Sequence, residues 1–134
     1  MKLASEQLDS LAAQGFLMLP GLFSSAEVDA LRERLPALLA DGHEGNIIER
    51  DSGEVRTSMG LHLRDDRFAA LVRHPRLVGP SLQVRAEPLY IQQVKVNVKA
   101  AFSGEVWQWH YDFATHHEED GVQKPLALNL HVFL

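Results

Sequence analysis

Residues 90–98 read Tyr90-Ile91-Gln92-Gln93-Val94-Lys95-Val96-Asn97-Val98, and this segment is the best guide to the fold class. Successive side chains of a β-strand point to opposite faces, so a strand here separates two sets of residues. One face is mainly polar and includes Gln93, Lys95 and Asn97, whereas the other is mainly valine. The pattern predicts a strand that is polar on one face and apolar on the other.

Local signals before residue 88 indicate helices and short strands. Ser24 and Glu27 have the spacing of a capping box, which predicts an amphipathic helix over residues 25–40. The other predicted elements are a helix capped by Ser5 and ending at Gly15, a strand at 16–19, a hairpin around 51–53, and helices at 65–72 and 75–84.

Two further strand candidates follow, at residues 106–113 and 126–134. Helices and short strands come first and strands alone come last, which predicts an α+β fold with helices on one face of an antiparallel sheet or jelly roll. The sequence contains no repeat or linker, so residues 1–134 are expected to form a single domain. Because residues 131–134 stop within an apolar strand, we expect this domain to be truncated at its C-terminus.

The composition is that of an ordinary globular protein, with 134 residues, 46% hydrophobic and 23% charged. A net charge of -5 without a basic cluster argues against nucleic acid or an anionic membrane as a partner. The absence of cysteine excludes disulfides, thiolate nucleophiles and sulfur-ligated zinc, and fits a reducing compartment. With no signal peptide and no membrane-length apolar run, we expect a cytoplasmic protein.

A histidine and an aspartate lie two residues apart in Trp107-Gln108-Trp109-His110-Tyr111-Asp112-Phe113. On a strand, His110 and Asp112 would share a face and could take adjacent positions around a metal ion. One histidine from a distant strand would complete a facial triad, the site of non-haem iron oxygenases. Such spacing is also common among surface residues. The flanking aromatic residues favour the metal, because a carboxylate in an apolar setting needs a positive partner.

The polar strand face, with Gln93, Lys95, Asn97 and Lys99, has two interpretations. A solvent-exposed face is the simpler one, and the pattern alone favours it. Alternatively, the face lies inside a barrel, where amides and a cation bind a dicarboxylate. Lys95 or Lys99 would then balance the charge of an acidic co-substrate.

Three stretches together resemble the phytanoyl-CoA dioxygenase family, and within it the branch that includes bacterial ectoine hydroxylase. The first begins at Glu6-Gln7-Leu8 and continues through Gly15-Phe16-Leu17-Met18-Leu19-Pro20-Gly21-Leu22-Phe23-Ser24. The second is Gln93-Val94-Lys95-Val96-Asn97-Val98-Lys99. The third is Trp109-His110-Tyr111-Asp112-Phe113-Ala114-Thr115, followed by His117-Glu118-Glu119-Asp120-Gly121. Their occurrence in this order is more specific than any one of them.

The resemblance implies a double-stranded β-helix, a cupin-like jelly roll, that holds Fe(II) and the co-substrate 2-oxoglutarate. It assigns His110 and Asp112 to the iron, and Asn97 and Lys95 to 2-oxoglutarate. It also implies that substrate is bound by Gln93, Thr115 and His116. The ectoine hydroxylase signature has a tryptophan at the position of His116, which puts ectoine itself in doubt.

The resemblance also implies that part of the site is missing from these residues. Family members supply a distal iron-binding histidine and an arginine for the 2-oxoglutarate carboxylate, and neither is matched here. His131 is not a substitute, because its family counterpart is not a ligand. Residues 1–134 are therefore expected to be the N-terminal part of a dioxygenase domain, with impaired or absent activity of their own.

Three functions remain open from the sequence. The first is a dioxygenase that uses O2 and 2-oxoglutarate to hydroxylate a small polar metabolite; the carboxylate of Asp112 favours hydroxylation over halogenation. The second is a non-catalytic jelly-roll module that binds a small molecule. The third is a truncated product that forms homo-oligomers through the open edge of an unfinished sheet.

Overall fold

The computed structural model describes residues 1–98 and 109–134 and contains seven helices and three short strands, confirming the α+β class. None of the described helices combines the length and apolar character that a membrane span requires. In chain order the elements are α1 (Ser5–Gln14), α2 (Ser25–Arg32), α3 (Leu35–Ala40), β1 (Asn46–Ile48), β2 (Val55–Met59), α4 (Leu61–Arg64), α5 (Asp66–Val72), α6 (Pro75–Arg85), β3 (Lys95–Asn97) and α7 (Asp112–Glu119).

The first helix follows its predicted course except at its start. Ala4 is the N-cap residue and Ser5 is already helical, so the predicted Ser5 cap is wrong. The Gln7 side chain accepts a hydrogen bond from the Ala4 N–H at 2.9 Å and takes over the capping role. Gly15 ends the helix as predicted, because its φ of 79° suits a residue without a side chain.

The predicted helix over residues 25–40 is two helices. Its start is correct, because the Ser24 hydroxyl accepts from the Glu27 N–H and the Glu27 carboxylate accepts from the Ser24 N–H. The break falls after Arg32, and Pro36 lies in the first turn of α3. A proline lacks the N–H that a continuous helix needs and clashes with the carbonyl four residues earlier.

The three strands form one antiparallel sheet in the order β1-β2-β3. The hairpin predicted around residues 51–53 joins β1 to β2. Strand β3 then pairs with β2, with Thr57 opposite Asn97, Ser58 opposite Val96 and Met59 opposite Lys95. This pairing fixes which side chains of β3 face the helices.

Several strand predictions are wrong in extent or in type. Of the predicted strand 90–98, only Lys95–Asn97 is assigned to a strand. Residues 16–19 and 126–134 are assigned to no strand. Of the predicted strand 106–113, residues 106–108 lie outside the described part, and Asp112–Glu119 is helical. An apolar or alternating sequence forms a strand only where a neighbour can accept and donate its backbone hydrogen bonds.

The core lies between the helices and the sheet. Leu31, Leu38, Leu61 and Phe68 form its buried cluster. Val96 of β3 and Leu134 pack against this cluster, together with Leu35 and Leu71. Because Val96 faces the core, its neighbours Lys95 and Asn97 lie on the opposite face, as the alternation predicts.

A polar network fixes the hairpin to the end of α3. The Arg64 guanidinium donates to Asp41 at 2.7 Å and to the Ser58 hydroxyl at 2.6 Å. Ser58 donates in turn to Asn46 at 2.6 Å, and the Asn46 amide donates to the Leu38 carbonyl at 3.1 Å. These bonds satisfy buried polar groups and hold β2, the partner of β3, in place.

Candidate metal and co-substrate site

His110 and Asp112 come together at the start of α7. His110 Nε2 lies 3.1 Å from Asp112 Oδ1, and the two side chains are 59% and 49% exposed. The predicted cause of this contact, a shared strand, is wrong, because Tyr111 is the N-cap residue and Asp112 begins the helix. Aspartate is favoured in the first turn of a helix, where its charge interacts with unpaired N–H groups.

The spacing of these two atoms suits a divalent cation. Nitrogen and oxygen ligands that sit about 2.1 Å from a metal, at right angles to each other, are about 3 Å apart. His110 Nε2 and Asp112 Oδ1 have this separation. An imidazole and a carboxylate also belong to the ligand set of non-haem iron sites. The pair therefore fits two neighbouring positions of such a site.

The second oxygen of Asp112 is held by Asn129. Asn129 Nδ2 donates to Asp112 Oδ2 at 2.7 Å. This hydrogen bond, with the charges of His110 and Lys95, holds the pKa of Asp112 below its ordinary value despite partial desolvation. Asn129 is not among the predicted site residues, although a lone amide within the apolar segment 126–134 is a sequence signal for a functional polar contact.

The polar face of β3 borders a shallow groove of about 350 Å³. Gln93, Lys95 and Asn97 line it together, as the alternating pattern predicts. Its remaining lining residues are Ile47, Arg56, Thr57 and Met59. The positive charge of Lys95 contributes to the lowered pKa of Asp112. Lys99, the fourth residue of the predicted face, lies outside the described residues.

Thr115 and His116 follow Asp112 on α7 at the spacings that place side chains on one helical face. Thr115 is exposed. Two polar contacts restrict the orientation of the His116 ring, since its Nδ1 lies 2.7 Å from Asp120 Oδ2 and 3.2 Å from Gln92 Nε2. A carboxylate beside Nδ1 leaves Nε2 as the nitrogen that can meet a ligand. Neither residue contacts the His110–Asp112 pair directly through a described hydrogen bond.

The aromatic surroundings predicted for the pair are not found in the described part. Trp109 is fully exposed to solvent, and Trp107 lies outside the described residues. Phe113 packs against His117, with ring centroids 5.6 Å apart. Solvent and the hydrogen bond from Asn129 therefore stabilise the Asp112 carboxylate in this structure.

Within residues 1–98 and 109–134, no three metal-binding side chains of the His, Cys, Asp or Glu types form a group. His131 forms no such group with His110 and Asp112 in these two ranges. In this part of the chain His110 and Asp112 are therefore a pair of candidate donors without a third side chain of these types beside them.

Comparison with known families identifies the family of this chain. The family model described as phytanoyl-CoA dioxygenase (PhyH) matches residues 11–134. The chain belongs to the phytanoyl-CoA dioxygenase family. The resemblance noted in the sequence is thereby confirmed.

Two relatives of this chain are enzymes named for small molecules. L-proline trans-4-hydroxylase of Streptomyces griseoviridis is 41% identical over 120 residues, which are 90% of this chain and 45% of the relative. Ectoine dioxygenase of Halomonas elongata is 34% identical over 136 residues, which cover 98% of this chain and 41% of the relative. The chain thus spans less than half the length of the curated relatives it matches.

The solved structures agree on the fold. EctD from S. alaskensis with 2-oxoglutarate and 5-hydroxyectoine matches with a TM-score of 0.83 and 30% identity, over 89% of this chain and 44% of EctD. EctD from the same source with bound Fe matches with a TM-score of 0.80 and 28% identity, over 86% of this chain and 42% of EctD. This phytanoyl-CoA dioxygenase family chain therefore has the fold of part of an iron-binding relative.

Proposed function

We propose that this chain carries part of the active site of an Fe(II)- and 2-oxoglutarate-dependent dioxygenase that hydroxylates a small polar metabolite. The observation that carries the proposal is the 3.1 Å approach of His110 Nε2 to Asp112 Oδ1, beside a groove lined by Lys95 and Asn97. Membership of the phytanoyl-CoA dioxygenase family supports the same reaction class.

His110 and Asp112 would hold the iron through Nε2 and Oδ1. When bound, iron supplies the activation of oxygen that C–H hydroxylation requires. Asp112 contributes negative charge to the cation, and Asn129 keeps its second oxygen engaged at 2.7 Å so that Oδ1 remains directed toward His110. Such outer hydrogen bonds orient metal ligands.

Lys95 and Asn97 would bind 2-oxoglutarate. They follow each other on the same face of β3, and both line the groove. A lysine ammonium balances one carboxylate of a dicarboxylic acid, and an amide N–H adds a directional hydrogen bond. The charge of Lys95 also contributes to the lowered pKa of Asp112, which supports a co-substrate site on the same side as the proposed metal ligands.

Gln93, Thr115 and His116 would contact the substrate. Gln93 lines the same groove, whereas Thr115 and His116 lie one helical turn after Asp112. All three side chains are hydrogen-bonding groups, which suits a small polar molecule. The relatives named for L-proline and ectoine support this substrate class without identifying the compound.

The third iron ligand and the arginine for 2-oxoglutarate would come from residues other than those described. The chain matches 44% of EctD, and on this proposal it forms part of a double-stranded β-helix. On this proposal, residues 1–134 form a single unit at the N-terminal side of a cytoplasmic dioxygenase domain.

A non-catalytic binding module is the second candidate. The observation in its favour is the two-donor set, since the described residues hold no group of three metal-binding side chains. Such a module would use Gln93, Lys95 and Asn97 to bind a small acid without metal chemistry.

Anaerobic spectroscopy separates the two candidates. The protein expressed from its full coding sequence is titrated with Fe(II) and then with 2-oxoglutarate, with Asp112→Ala as the matched variant. A dioxygenase shows a visible charge-transfer band that needs both additions and is lost in Asp112→Ala, and it releases succinate when O2 is admitted. Binding of 2-oxoglutarate without Fe(II), and with no band after Fe(II) is added, supports the binding module and contradicts the dioxygenase.

A further inference from the structure

We propose that Thr57 is a positioning residue for the co-substrate, because its hydroxyl fixes the Asn97 amide with the nitrogen free to donate to a carboxylate in the groove. The inference rests on the proposed function and deepens it. Neither the sequence pattern nor the family resemblance points to Thr57.

The geometry places the two side chains together. Thr57 and Asn97 are directly opposite each other in the β2–β3 pair. Thr57 Oγ1 donates to Asn97 Oδ1 at 3.1 Å, and both residues line the groove. The Val98 N–H donates to the Arg56 carbonyl at 2.8 Å beside them, which holds the register of the two strands.

Burial makes the Thr57 hydroxyl a specific donor. Thr57 is only 4% exposed, so its hydroxyl has little access to water. A buried hydroxyl left without a partner destabilises the folded protein, and Asn97 Oδ1 provides the partner here. Asn97 Oδ1 is therefore occupied by the hydrogen bond from Thr57 on β2.

The orientation of Asn97 matters because an amide has a donor end and an acceptor end. With Oδ1 held by Thr57, Asn97 Nδ2 has no hydrogen bond to another residue of the described part and remains available in the groove. A rotated amide would present its oxygen to an incoming carboxylate and repel it. Lys95, two residues earlier on the same face, adds the positive charge that a dicarboxylate requires.

The test compares Thr57→Val with Thr57→Ser in the protein expressed from its full coding sequence. Valine keeps the branched shape and removes the hydroxyl, whereas serine keeps the hydroxyl. Anaerobic calorimetry of 2-oxoglutarate with the Co(II)-loaded protein gives the dissociation constant. We expect it to rise about tenfold in Thr57→Val, as for a lost hydrogen bond, and to stay within about twofold in Thr57→Ser.

A double-mutant cycle with Asn97→Ala tests whether Thr57 acts on 2-oxoglutarate binding through Asn97. Once Asn97 is alanine, adding Thr57→Val should weaken 2-oxoglutarate binding no further, because the amide to be oriented is gone. The Co(II) dissociation constant should stay unchanged throughout, since neither Thr57 nor Asn97 is a proposed metal ligand. If Thr57→Val fails to fold, Thr57→Ala is compared with Thr57→Ser in the same way.

The other possible results separate failure of the Thr57 role from failure of the proposed function. Wild-type affinity in Thr57→Val, or equal weakening in Thr57→Val and Thr57→Ser, overturns the positioning role and leaves the proposed function intact. An Asn97→Ala variant with unchanged affinity removes Asn97 from the site, and the role of Thr57 with it. A wild-type protein that binds Co(II) but no 2-oxoglutarate contradicts both the proposed function and this inference.

Discussion

Asn129 Nδ2 lies 2.7 Å from Asp112 Oδ2, the carboxylate oxygen that does not face His110. The two oxygens of Asp112 are thereby divided between a hydrogen bond and the candidate metal position. Asn129 belongs to the same segment as Leu134, which packs against the core. The packing of this distant segment thus affects the orientation of Asp112, a candidate metal ligand.

Asn129→Ala is expected to weaken Co(II) binding by about tenfold, because partners of metal ligands typically contribute 10–100-fold to affinity. Co(II) titration followed by visible absorption measures the change. Leu130→Ala is the control, since Leu130 lies in the same segment and its side chain is an exposed hydrocarbon. Equal Co(II) affinities in Asn129→Ala and the wild type would show that Asp112 needs no such support.

Direct removal of the donors should have a larger effect. His110→Ala and Asp112→Asn are each expected to lower Fe(II) affinity by more than the Asn129 variant, because each removes a ligand or its charge. Anaerobic equilibrium dialysis against Fe(II) provides the measurement. His117→Ala is the matched control, because His117 Nδ1 contacts the Val122 carbonyl at 2.8 Å and takes no part in the pair. Unchanged binding in either donor variant would remove that residue from the metal site.

Removing the charge of Lys95 is expected to affect the binding of 2-oxoglutarate and of Co(II) differently. Lys95→Met should weaken 2-oxoglutarate binding about tenfold or more, because a charge-assisted contact is lost. It should leave Co(II) binding unchanged or tighter, because a cation near Asp112 is removed. Calorimetry with each ligand tests both signs, with Lys124→Met as the control. Loss of Co(II) and 2-oxoglutarate binding together would indicate a general structural defect instead.

Local signals in the sequence predicted local structure well. The capping box at Ser24 and Glu27, the hairpin around residues 51–53 and the helix end at Gly15 all occur as predicted. In each case the interacting groups are close in sequence, so residue types and spacing alone determine the outcome. The break after Arg32 was missed, although Pro36 signals it by the same local chemistry.

Contacts between distant residues were harder to predict. The alternation in residues 90–98 correctly separated Val96 from Lys95 and Asn97, but it could not show that the pairing partner is β2. His110 and Asp112 lie side by side, but they do so at the start of a helix and not on the strand that was predicted. Thr57 and Asn129 were missed, because their partners lie 40 and 17 residues away.

A separate charge cluster joins α6 to the start of α2. The Arg76 guanidinium donates to Glu27 and to the Leu22 carbonyl, and lies 4.5 Å from the centroid of the Phe23 ring. Hydrogen bonds from Arg76 and then from Ser24 lower the pKa of Glu27 from 4.5 to about 2. Glu27 is therefore a carboxylate whose ionised form is stabilised by folding.

Glu27 should make stability depend on pH in acid. Between pH 4.5, its ordinary pKa, and its folded pKa of about 2, the unfolded chain binds more protons than the folded chain. The contribution of Glu27 to the free energy of unfolding is thus fully present above pH 4.5 and is lost as the pH falls through about 2.

Urea unfolding of the wild type and Glu27→Gln at several pH values measures this contribution. The difference in unfolding free energy between the two should shrink as the pH falls across this window. In an Arg76→Met background most of that pH dependence should disappear, because the largest cause of the lowered pKa is gone. A difference between wild type and Glu27→Gln that stays constant from pH 5 to pH 2 would contradict the assignment.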